Sequence, residues 1–61
     1  MFVELHINKK PIFINVNTIS AIVKERDQCA VFQVAEKDDY FIVDESYDTV
    51  RERIEYLCKK K

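Results

Sequence analysis

Up to Val43 the chain mostly alternates apolar and polar side chains; from Ser46 onward the apolar ones recur every three or four positions. Val3, Leu5 and Ile7 alternate with Glu4 and His6. That period of two predicts a half-buried strand over 2–7. Asn8-Lys9-Lys10-Pro11 breaks the pattern, because Asn tolerates positive φ and Pro11 cannot donate to a ladder, so a hairpin turn is expected there. Ile12-Phe13-Ile14-Asn15-Val16 predicts a second strand over 12–16. Asn17-Thr18-Ile19-Ser20 reads as a bend, since Asn and Ser side chains bond to nearby backbone. Ile19, Ile22 and Val23 then return to the core, with a third strand over 20–25. Arg26-Asp27-Gln28 is a polar turn. The fourth strand, 29–34, places Ala30, Phe32 and Val34 on one side and Cys29, Val31 and Gln33 on the other. Glu36-Lys37-Asp38-Asp39 reads as the next turn, and 40–43 as a fifth strand, apolar on both sides.

Val50, Ile54 and Leu57 fall at helical spacing, with Tyr47 and Cys58 flanking the same stripe, and predict a helix over 47–59. Ser46 is its expected N-cap, and Asp48 in the first turn meets the positive end of the helix dipole. Lys59, Lys60 and Lys61 sit at the opposite end, where cations are favoured, so the lysine run needs no ligand to explain it. The pattern predicts one α+β domain over 1–61. It is an antiparallel meander of four or five short strands, able to curl into a half-barrel, followed by one C-terminal helix packed on one face.

Length sharpens this picture. A chain of 61 residues buries only about 60% of the surface its unfolded form exposes. Disulfides, metals or self-association are the usual remedies. The only sulfur and imidazole groups suited to the first two are Cys29, Cys58 and His6, with no Cys-x-x-Cys spacing, so no zinc site is expected. A single Cys29–Cys58 bridge is not the dense framework of a secreted mini-protein, and both thiols read as small apolar core residues. The chain opens on strand-like Phe2-Val3-Glu4-Leu5 rather than a basic and then apolar leader, and no run approaches the roughly 20 apolar residues of a membrane span. A cytoplasmic protein is the expectation.

Net charge is −1, too little for a global field that would hold nucleic acid or an anionic membrane. Residues 36–48 are nevertheless acidic, and 51–61 basic. The absence of glycine excludes a glycine-rich phosphate loop and a dinucleotide fingerprint, both of which need close backbone approach.

No catalytic constellation stands out. His6, on the polar side of the first strand, has no Ser, Cys or acidic partner in a sequence motif and reads as a surface or edge residue. Asp38-Asp39 lacks the alternating oxygen ligands of a calcium loop. A chain this short also lacks the volume for both a core and a pocket. The expectation is therefore a protein that is not an enzyme and takes no cofactor or metal. The surplus of apolar side chains is more informative, because one helix covers one face of a sheet. Phe13, Phe32, Phe41 and Val43 form the candidate association surface of a homo-oligomer. Arg51, Lys59, Lys60 and Lys61 form a candidate basic patch, and the alternative function is a small RNA- or DNA-binding regulator. Five strands and a helix are also the plan of the small carbon-storage-regulator type of RNA-binding protein, whose glycines and basic N-terminal edge are missing here.

Two blocks resemble the FlbD/SwrD-type small flagellar and swarming-motility proteins. One is Ile12-Phe13-Ile14-Asn15 followed by Ile19 and Ile22; the other runs from Phe41 through Asp44-Glu45-Ser46 to Val50, with Ile54 four residues on. Leu5 to Lys10 fits that family's first hairpin, without its glycines. The resemblance implies a non-catalytic accessory protein acting by contact, with a setting in bacterial motility, and it brings no catalytic residues.

Overall fold

The computed structural model describes residues 1–34 and 36–59, with the backbone alone for 36–39. Its strand pairing is set by tight turns made without glycine. Asn8 and Lys9 both have positive φ, 50° and 69°, which gives the two-residue turn whose twist matches its flanking strands. It joins β1 (Phe2–Ile7) to β2 (Lys10–Asn15), with Ile7 opposite Lys10, Leu5 opposite Ile12 and Val3 opposite Ile14. Arg26 alone has positive φ, 54°, in the next tight turn, between β3 (Ile19–Glu25) and β4 (Gln28–Gln33). β5 (Glu36–Val43) returns along β4, and α1 (Tyr47–Lys59) ends the described chain.

All pairings are antiparallel, but the meander divides into two sheets, β1–β2 and β3–β4–β5, and does not close into a barrel. The division comes at a 3₁₀ turn over Val16–Thr18, where a single bend was expected. There Asn15 binds the Asn17 amide through its side chain and the Thr18 hydroxyl through its carbonyl, turning the chain out of the first sheet. The ends stay tied, because Val16 donates to the Met1 carbonyl and Val34 to that of Thr18.

Most element bounds match the expected ones within two residues; β5 does not. The polar run Glu36-Lys37-Asp38-Asp39 is strand rather than turn, with Glu36 already opposite Gln33. Ladder bonds are backbone bonds, so a polar stretch can extend a strand that its side chains do not advertise. Their side chains lie outside the described residues.

Val3, Leu5, Ile14, Val16, Cys29, Val31, Val43 and Val50 form one buried cluster between the two sheets and the helix. The helix contributes Val50, with Ile54 and Leu57 half-buried beside it. Three expectations are corrected here. Val43 is fully buried, 0% exposed, and so cannot serve as an association surface. Val23 is 45% exposed, because it stands on the opposite side of β3 from Ile22. Cys58 is exposed, since the helix turns it away from the stripe that carries Val50 and Leu57.

Candidate functional site

The pairing register decides which apolar residues face out. Ala21, Phe32 and Tyr40 stand in one cross-strand row, and Val23, Ala30 and Ile42 in the next, all on the side of the β3–β4–β5 sheet away from the core. Every position of those two rows is apolar or aromatic. The Phe32 and Tyr40 rings stack at 5.0 Å, and Tyr40 is 53% exposed. α1 packs on the other side of this sheet, beside Val31 and Ile22. Of the four residues expected to form the association surface, only Phe32 belongs to this face. Phe41, opposite Val31, points inward and is half-buried, as strand alternation from Tyr40 and Ile42 requires. Phe13 is 69% exposed but lies on the other sheet, stacked on Phe2 at 5.2 Å. Tyr40, Ile42 and Val23 were missed, although the alternation along β5 carried the signal once its register was known.

A second cluster, also missed, surrounds His6. In the register of the first hairpin, Phe2, Glu4 and His6 turn their backbone groups away from β2, and those of His6 meet the junction of β5 and α1. The Asp44 amide donates to the His6 carbonyl at 2.7 Å, and the His6 amide donates to Glu45 Oε1 at 2.9 Å. His6 Nδ1 lies 2.6 Å from Glu45 Oε2, and its Nε2 is 3.9 Å from Glu4 Oε2. The Arg53 guanidinium donates to the Glu4 carbonyl at 3.0 Å and lies 3.5 Å from Glu45 Oε2. Asp44 accepts the amides of Asn8 and Lys9, at 3.2 and 2.7 Å. Burial pushes the Glu45 carboxyl up. The His6 ring and amide, its own amide and the charge on His6 outweigh that, so the group is held below the usual carboxylate range.

This cluster clasps β1 to the junction of β5 and α1: among the described residues the His6 ring is bonded to Glu45 and lies beside Glu4. No local sequence motif gives His6 an acidic partner; Glu45 reaches it through the fold. Beside the clasp an open groove of about 900 Å³ runs between β1 and α1, where no room for one was expected. Among the described residues no group of three or more potential ligands could hold a metal ion.

The basic patch is partly occupied. Arg51 pairs with Glu55 at 3.7 Å, one helical turn on, and Lys59 is exposed; Lys60 and Lys61 lie outside the described residues. Ser46 accepts the Thr49 amide through Oγ at 3.2 Å, the bond of a helix N-cap. Cys29 and Cys58 are free thiols, and burial pushes that of Cys29 up against a smaller opposing effect from the Val23 backbone. No helix among the described residues is long and apolar enough to cross a membrane. No family model, no curated protein and no solved structure matches the chain.

Proposed function

We propose that this protein is a non-catalytic accessory module that works by contact and associates with itself through the outer face of the β3–β4–β5 sheet. The observation that supports this is the pair of cross-strand rows, Ala21–Phe32–Tyr40 and Val23–Ala30–Ile42, in which Ala21, Val23 and Tyr40 are exposed and Phe32 and Ile42 half-buried around a buried Ala30, on the side the helix does not reach. Contiguous exposed apolar surface on a small domain commonly marks an association site. Removing it from water returns roughly 25 cal/mol for each Å², which a short chain with a small core needs. Work beside the motility apparatus is the setting that the family resemblance implies for such a module. The alternative, nucleic-acid binding, has less behind it, since the Arg51 charge is shared with Glu55.

Light scattering at two concentrations tests the proposal. The expected mass is a multiple of 7.3 kDa that falls on dilution, and Tyr40→Lys should bring it to a single chain at both concentrations. A wild-type mass of one chain at millimolar protein would overturn self-association. Binding to a nucleic acid that weakens steeply with salt would favour the alternative.

A further inference from the structure

The sheet edges are not equally guarded. On β2, Pro11 lies at a position whose backbone faces away from β1, and without an N–H it makes that edge a poor template for another strand. On β1 the outward groups of His6 are bonded to Asp44 and Glu45, and the Glu4 carbonyl to Arg53. β3 is different. Its turn closes on the Glu25–Gln28 pair, so Val23 and Ala21 bond to β4 while Ile22 and Lys24 turn their N–H and C=O groups away from it. No described residue bonds those outward groups. The strand carries no proline, and of its seven residues only Ile19 and Ile22 are half-buried; the others are exposed. An open edge of this length, with Ile and Val along it, is a template for another strand.

Resting on the self-association proposed above, we infer that β3 pairs edge to edge with β3 of a second copy, antiparallel and centred on Ile22, so that two three-stranded sheets join into one. The sequence of the strand selects both the occupant and the register. About Ile22, Ala21 stands opposite Val23 of the second copy, and Lys24 opposite Ser20. Each apolar row then runs on unbroken, because Tyr40–Phe32–Ala21 continues into Val23–Ala30–Ile42 of the other copy. A centre at Val23 would set Glu25 against Ala21 and run a row into Gln28. A centre at Lys24 would oppose two lysines, which is unfavourable across a ladder. A centre at Ala21 would bring the irregularity between Ile19 and Ala21 into the middle of the seam. Area points the same way. Two rows across three strands cover on the order of 200 Å², against about 800 Å² a side in a standard interface. The face of one chain falls short of that; joining at β3 doubles it and adds main-chain bonds along the seam. Face and edge are then parts of one assembly, in which widened sheets pack on each other.

The test is amide hydrogen exchange, followed by nuclear magnetic resonance on the isotopically labelled full chain at micromolar and millimolar concentration, with the mass of the same samples read by light scattering. The Ala21 and Val23 amides, bonded to β4, should be slow at both concentrations. Those of Ile22 and Lys24 should exchange fast in dilute protein and at least about tenfold slower in concentrated protein, in step with the rise in mass. A mixture of labelled and unlabelled chains should show an intermolecular contact between the α protons of Val23 and Ala21, the pair this register brings together. Lys24→Pro puts a proline at an exposed, outward position, as Pro11 is on β2. It should abolish the slowing at Ile22 and lower the mass while Ala21 and Val23 stay protected. Several chains in solution with Ile22 fast at both concentrations would overturn the edge pairing and leave the sheet face as the association surface. A Tyr40→Lys protein that still gains mass, and still slows at Ile22, would support the edge and remove the face. A single chain at millimolar protein would overturn both.

Discussion

Nδ1 of His6 stands 2.6 Å from Oε2 of Glu45, and the His6 amide donates to Oε1 of the same carboxylate at 2.9 Å. One side chain thus fixes both the ring and the backbone of a residue 39 positions earlier, and ties β1 to the start of α1. The Glu45 carboxyl is held below its ordinary range in the folded state, so the unfolded chain binds the proton more readily. The contribution is therefore fully present above the unfolded value of about 4.3, and is lost as pH falls through the lower folded value. Urea unfolding from pH 7 to pH 3 should show stability declining in the lower part of that range. Glu45→Gln should lose about 1–2 kcal/mol at pH 7 and follow a flatter curve below pH 5. Parallel curves for the two proteins would remove Glu45 as the cause.

The neighbouring carboxylate serves a different purpose. Asp44 accepts the amides of Asn8 and Lys9, the two residues that hold positive φ in the first hairpin. Lys9 bears a Cβ in the left-handed region, where a residue other than glycine is disfavoured by about 1–2 kcal/mol. Lys9→Gly should relieve part of this and raise stability by about 0.5–1 kcal/mol, or a few degrees in Tm. Asp44→Ala should cost about 1 kcal/mol by leaving the turn amides to water. The two changes share a contact, so the double variant should depart from additivity. A Lys9→Gly protein that melts below wild type would show that the turn's conformation is not the one described.

How much of this was legible in the sequence follows from the range of each interaction. β1 and α1 were readable because Val3, Leu5 and Ile7, and then Val50, Ile54 and Leu57, repeat at the periods of a strand and a helix. The start of β5 was not, because its polar residue types read as a turn while Glu36 pairs with Gln33 across an irregularity that follows the Phe32–Tyr40 pair. The alternation along β5 left two answers, Phe41 and Val43 outward or Tyr40 and Ile42 outward, and only the pairing of Val31 with Phe41 decides between them. The clasp was the least legible feature. His6 and Glu45 share no local pattern, and the contact exists only once β5 has delivered the junction to the edge of β1.

Ser46 provides a local test of the same junction. Its Oγ accepts the Thr49 amide at 3.2 Å and lies 3.0 Å from Thr49 Oγ1, while its carbonyl takes the Val50 amide at 3.0 Å. Only the first and second of these depend on the side chain. Ser46→Ala should therefore cost about 1 kcal/mol, and Ser46→Gly a few tenths. Thermal melts followed by the helical dichroism signal would measure both. Equal and negligible losses would mean that the helix start is held by Glu45 and Val50 without the cap.

The two thiols should separate by reactivity. Cys29 is buried in the cluster between the sheets, and Cys58 is exposed on α1. The thiolate is the reacting species, and burial both blocks access to Cys29 and raises its pKa. A colorimetric disulfide reagent in excess at pH 8 should label one thiol per chain at once. The second should follow only as fast as the protein opens, and both should react together in denaturant. Cys58→Ser should abolish the fast phase and leave stability within about 0.5 kcal/mol, as for an exposed site, whereas Cys29→Ser places a hydroxyl in an apolar cluster and should cost at least about 1 kcal/mol. The slow rate also reports on the clasp. If Glu45 holds β1 against the junction, Glu45→Gln should speed labelling of Cys29 roughly tenfold, the factor that corresponds to about 1.4 kcal/mol when reaction follows the open population. An unchanged rate would mean that Cys29 is reached by a local opening of β4 that leaves the His6–Glu45 contact intact.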